Sequence, residues 1–386
     1  MWFALIYYSS EADDFICLTE MMSGQTFTDC SAAIDETTEK RWVRNQMRNK
    51  SLDAVKAIAA CLVVCIHVSF PGQAGQLVKV LARCAVPFFF MVSGYFCYYQ
   101  NCNASKRILS KILHIMKLFA VSVVFYFIWE CFMKAWNGER VWTWIKGLVS
   151  TEHLKEFFVY NSTSPVRAHL WFLPALIYCY LLALLIEKWR MRKAAYCMAP
   201  VLLAILLWRA EFCAFFDRFY HTMEYRNFLF TGMSFFLTGQ MIHEYQDKIV
   251  CKRLEQWMQW GLKAGMSFGV ALSMMEYAFR GAGEIYTGNC VAVICLFLWL
   301  ILYGREINFP SVLVETGRKY AFLIYLLHPA VSDLLKKCSE GLGVSNCQIY
   351  FWLRPVLVYM LTVVTVSGIS AVSAYARQNI LQNNHV

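Results

Sequence analysis

Charge is scarce in this sequence. Acidic and basic residues make up only 16% of the 386 residues, where soluble domains carry about 25%. With 59% of residues hydrophobic, a disordered chain and one large soluble domain are both excluded. Proline is rare as well, at 8 residues, and no low-complexity tract or internal repeat divides the chain. No CxxC pair occurs among the 16 cysteines, which removes a zinc site and a thioredoxin-like motif. Most of these cysteines lie in apolar segments, where they act as small hydrophobes. Cys338 and Cys347 can pair only if their loop is extracytoplasmic. The N-terminus also lacks a signal peptide. Its opening MWFALIYY is only eight apolar residues long, has no basic region before it, and is followed by Asp, Glu, Ser and Thr.

What is present is apolar and aromatic, with 29 Phe, 21 Tyr and 13 Trp. The mean hydropathy is +0.43. The expected class is therefore all-α, a polytopic integral membrane protein. The net charge of +10 does not point to nucleic acid, because Lys and Arg are scattered between apolar stretches. About 20 apolar residues cross a bilayer core. Ten segments approach that pattern: 52–70, 79–99, 110–132, 169–186, 194–208, 227–243, 261–279, 288–303, 319–335 and 354–375. The long connection 133–168 is aromatic and polar, and Trp142 and Trp144 suggest an interfacial helix within it. With the N-terminus inside, inner segments carry 19 Lys and Arg and outer segments 12. That bias places both termini in the cytoplasm. The chain divides into an N-terminal tail 1–47, one membrane domain 48–377 and a C-terminal tail 378–386. Met47, just before the first span, is read as lying near the true start.

Ionisable groups within spans cost about 2.5–3.5 kcal/mol at the bilayer centre, so they are functional candidates. In the first span Asp53 and Lys56 are three residues apart and can pair. His67 follows Lys56 by eleven residues, close to three turns, so all three share one stripe. Asp53 and Lys56 can equally cap the inner end, with Lys56 reaching the interface. In the second span Pro87 is expected to kink the helix, and Ser93 and Gly94 to permit close packing. Arg83 is a candidate ligand for phosphate or carboxylate. His169 and Trp171 mark the outer edge of the fourth span, and Arg226 that of the sixth. Glu276 lies near the outer end of the seventh. His328 precedes Pro329 near the middle of the ninth. The convergence of His67, Arg83, His169, Arg226 and Glu276 in the outer half suggests a polar cavity open to the outside.

The run LDAVKAIAACLVVCIHVSF, followed by RCAVPFFFMVSGYF, resembles the opening of the bacterial acyltransferase family 3 membrane proteins. HLWFLPALIYCYLL, RNFLFTGMSFFLTG and YLLHPAV resemble later segments of that family, so the likeness runs over about residues 48–375. The membrane domain of the vancomycin-resistance serine racemases is the most similar subgroup. There a soluble racemase domain follows the membrane part, whereas this sequence ends at Val386, so no pyridoxal phosphate is expected. The resemblance implies about ten helices in the bacterial cell membrane. It implies transfer of an acyl group, usually acetyl, from cytoplasmic acyl-CoA to a hydroxyl of an extracytoplasmic glycan or lipid-linked acceptor. The donor is a co-substrate, and no bound cofactor or metal is expected. The first-helix motif of that family is Arg, ten residues, then His. His67 matches the His, while Lys56 stands where the Arg is expected and lacks its planar fork.

In that reading His67 is the general base and Arg83 the cation that stabilises the oxyanion. Asp53, Lys56, His169, Trp171, Arg226, Glu276 and His328 are expected to contact substrate. The rival is a serine-like transporter, with Arg83 or Arg226 binding a carboxylate and His67 gating or relaying a proton.

Overall fold

The computed structural model describes residues 49–383, apart from 100–103, 149, 165, 217–221 and 250–254. The N-terminal tail, and with it the reading of Met47 as a start, lies outside the described residues. So does the end of the C-terminal tail, residues 384–386. Among the described residues the fold is entirely helical.

The helix α1 (Lys50–His67) begins where the Asn49 side chain accepts the N–H of Leu52 at 3.0 Å, which caps an otherwise unpaired donor. Asp53 in its first turn and His67 in its last both suit the helix dipole. Ala54, Ala57 and Ala60 keep one face narrow and buried. The expected second span is two helices, α2 (Gly72–Ala82) and α3 (Ala85–Tyr95), broken at Arg83 and Cys84. The break lies four residues before Pro87, at the carbonyl that its missing N–H cannot reach, so the expected disruption takes the form of a break rather than a bend. Pro87 sits in the first turn of α3, where a missing N–H costs little. Gly94 of α3 lies against the carbonyl of Phe236, and Gly239 against that of Met91, so neither position has room for a Cβ.

The chain continues through α4 (Ala104–Trp136), α5 (Val141–Leu148) and α6 (Thr151–Tyr160). The helix α5 carries Trp142 and Trp144, as the 133–168 connection suggested. A 3-10 turn, Ala168–Trp171, leads into α7 (Phe172–Lys188). The short segment 194–208 proves to be part of a longer helix, α8 (Arg192–Phe215). A π-helical turn, Phe228–Met233, opens α9 (Ser234–Ile249). Then come α10 (Glu255–Arg280), α11 (Thr287–Tyr303), α12 (Ser311–Lys319), α13 (Ala321–Gly341) and α14 (Gln348–Asn383).

All ten expected segments are thus helical. Among the described residues, five stretches are long and apolar enough to cross a bilayer: Gly72–Tyr95, Ala104–Trp136, Ala168–Lys188, Arg192–Cys213 and Gln348–Ala376. Thr287–Tyr303 is apolar but shorter. The spans in α4, α8 and α14 leave most of their apolar residues facing outward, including Ile128, Ile205 and Val364. A contiguous apolar exterior needs lipid or a partner to cover it. By contrast α1 lies inside the bundle, packed on α2, α3, α12, α13 and α14.

Ser51 of α1 donates to the carbonyl of Gly304 after α11, while Phe70 after α1 lies 6.2 Å from Trp352 at the start of α14. These contacts define two ends of the bundle, a Lys50 end and a His67 end. The start of α1 and the finish of α14 share the Lys50 end.

Candidate functional site

Three histidines from three helices meet near the His67 end. The His67 ring lies 5.1 Å from that of His328 and 6.3 Å from that of His169, and the last two are 5.7 Å apart. His169 and His328 are buried. His67 is exposed at the last turn of α1, next to these two buried rings. No hydrogen bond holds its ring among the described residues.

The sequence around His328 explains its orientation. Pro329 follows it and contributes no N–H to the helix. The His328 Nδ1–H donates to the carbonyl of Ile324 at 3.1 Å. A carbonyl only accepts, so Nε2 is left bare; it is buried without a partner. His169 Nε2 is buried and unpartnered too. Its backbone carbonyl accepts from Tyr325 Oη at 2.5 Å, and its ring lies edge-on to Tyr126 at 4.9 Å. Tyr126 Oη in turn donates to the carbonyl of Leu326 at 2.5 Å. These bonds tie α4 and the start of α7 to α13.

A second cluster stands at the same end. Arg83 occupies the corner between α2 and α3, and both its Nη atoms donate to Glu284, each at 2.8 Å. Arg226 donates to the same carboxylate from Nε at 2.7 Å and Nη2 at 2.8 Å. Glu284 lies in the loop between α10 and α11. Gly281 turns that loop with φ +77°, and Gly283 N–H donates to Tyr286 Oη at 2.7 Å. Arg226 is positioned by Asn161, whose Nδ2 donates to the carbonyls of Arg226 and Trp171 at 3.3 Å each. Asn161 Oδ1 also accepts Phe228 N–H at 3.0 Å. Its own φ is +50°, a strained value that Asn tolerates better than most residues. Arg83 and Arg226 both act electrostatically on His67, as does Lys79.

Glu284 was not among the residues singled out from the sequence. It lies outside every apolar segment, so no intramembrane charge announced it. The only hint was that Arg83 and Arg226 converge at one end and want an anion. Arg167 was missed as well. It pairs with Glu130 at 2.5 Å and with Asp333, and stands 5.5 Å over the Tyr126 ring. Trp129 Nε1 donates to the same Asp333 at 3.0 Å.

The remaining expected residues lie elsewhere or do other work. Asp53 and Lys56 pair at 3.1 Å, and Lys56 stands 5.5 Å over the Phe96 ring. They share a helix with His67 but sit toward its other end, about 16 Å (Lys56) and about 21 Å (Asp53) away by helical rise, and do not meet the histidines. Glu276 accepts the N–H groups of Thr287 at 3.1 Å and Gly288 at 3.4 Å. It therefore caps the start of α11. Trp171 is half-buried, 6.2 Å from Phe90, just behind the histidines. Cys338 and Cys347 are exposed and unbridged. Among the described residues no group of three His, Cys, Asp or Glu side chains is arranged to hold a metal ion.

A family model described as an acyltransferase domain matches residues 49–374. Two curated relatives, both from Enterococcus faecalis and both named amino-acid racemase, are also similar. One is 26% identical over 316 residues, covering 76% of this chain and 41% of the relative. The other is 22% identical over 338 residues, covering 81% and 45%. The chain thus spans less than half the length of these relatives. No solved structure matches it.

Proposed function

This chain belongs to the acyltransferase family, and on that premise we propose that it moves an acyl group from acyl-CoA to a hydroxyl at the His67 end. The observation that carries this assignment is the openness of His67. Of the three clustered histidines it alone is exposed to an incoming molecule. A hydroxyl is a poor nucleophile at neutral pH, and imidazole is suited to take its proton as it attacks.

The step balances as follows. The acceptor oxygen bonds to the thioester carbon while its proton passes to His67. The oxyanion so formed collapses, the carbon–sulfur bond breaks, and the thiolate leaves with the proton from His67. Arg83 is the nearby cation for the oxyanion. His169 and His328 flank its imidazole, with ring centroids at 6.3 and 5.1 Å.

The Lys50 end is assigned to the cytoplasm and to the donor. A cavity of about 600 Å³ there is lined by Arg190, Arg192 and Lys193, with Glu187 and Glu244. Such cations suit the phosphates of a nucleotide. The acceptor, an extracytoplasmic glycan or lipid-linked molecule at the surface of a bacterial cell membrane, approaches the His67 end. Transfer of radiolabelled acetyl from acetyl-CoA into envelope material tests the proposal in vesicles bearing wild-type or His67→Ala protein. Label that disappears with His67→Ala supports it. No label, in vesicles that take up radiolabelled serine, replaces it with the transporter reading.

A further inference from the structure

The charges beside His67 do not match one to one. A clamp between the α2–α3 corner and the α10–α11 loop is complete with Arg83 and Glu284 alone. Arg226 adds a second guanidinium to the same carboxylate. Each guanidinium has five N–H donors, and each gives two N–H-bearing nitrogens to Glu284, so donor capacity remains on both forks. Their side chains are 17% and 29% exposed, against 12% for Glu284. They are thus partly desolvated yet reachable by a ligand, a setting in which charge-assisted bonds are strong. Lys79 adds to the positive field felt at His67.

We infer that Arg83 and Arg226 form an anion seat that the Glu284 carboxylate partly fills, and that the molecule presented to His67 carries a carboxylate or phosphate beside its hydroxyl. The hydroxyl's fate rests on the acyl-transfer reading; the seat does not. An anion on the donor has the same chemistry, so the test separates the two sources.

The full chain in lipid nanodiscs is titrated with glycerate, glycerol 3-phosphate, glycerol and coenzyme A. Glycerate or glycerol 3-phosphate is expected to bind, and glycerol not. Arg226→Gln weakens that binding by about tenfold or more. Glu284→Gln releases both forks and tightens it, an opposite shift that a purely structural ion pair would not produce. Coenzyme A affinity stays the same in both variants. Should Arg226→Gln fail to fold, Arg226→Lys and Glu284→Gln decide by the same opposed shifts. Glycerol binding as well as its charged counterparts, or no probe binding at all, overturns the seat. A loss confined to coenzyme A overturns it as an acceptor site. Anion binding through Arg226 without any acyl transfer supports the seat and sinks the enzyme reading.

Discussion

At the Lys50 end of α1, Asp53 and Lys56 pair at 3.1 Å, and Ser51 donates to the carbonyl of Gly304. At its other end, His67 has no hydrogen bond among the described residues and stands beside two buried histidines whose Nε2 atoms have no partner. One helix therefore joins a satisfied end to an unsatisfied one. A buried polar atom without a partner costs about 1–3 kcal/mol, and such atoms are few in native proteins. Two such atoms, His169 Nε2 and His328 Nε2, stand on rings beside that of His67, and they single out this histidine cluster as the place to look for chemistry.

The largest effect that sharpens this contrast is at His67. His67→Ala is expected to lower acyl transfer by about 10²–10⁴-fold while the protein stays folded, as measured by acetyl transfer and by thermal unfolding. A variant with near-normal transfer would break the contrast. Next is Gly317, which lies against the carbonyl of Asp53 where α12 crosses α1. Gly317→Ala should cost about 1–3 kcal/mol of stability, read as a lower Tm, with the acceptor KM of the folded fraction unchanged.

Glu276→Gln should cost about 1 kcal/mol through the weakened start of α11. A rise in KM with no change in Tm would instead return Glu276 to the substrate. The smallest effect is at the satisfied end. Replacing the pair together, Asp53→Asn with Lys56→Met, should change stability by about 1 kcal/mol or less, because no lone charge is left behind. Collapse of transfer in a folded double variant would show that the Lys50 end also carries chemistry.

Hydropathy made the helices legible, because each must bury or present an apolar face over many consecutive residues. It did not reveal that the second span breaks at Arg83 and Cys84. That break depends on how α2 and α3 pack against α10 and α9. The histidines were legible because an ionisable group in an apolar run stands out. Their division into one open ring and two buried ones was not, since exposure depends on three helices at once.

The amino-acid sequence by itself determined an all-helical, membrane-spanning class, the acyltransferase likeness and the candidacy of His67. These are properties of composition and of residues close together along the chain. Only the tertiary structure decided that Glu284 joins Arg83 across 201 residues and Arg226 across 58. It alone decided that Glu276 caps a helix and that Asp53 and Lys56 stand apart from the histidines. Partners so distant in sequence leave no local periodicity, and only packing brings them within hydrogen-bond reach.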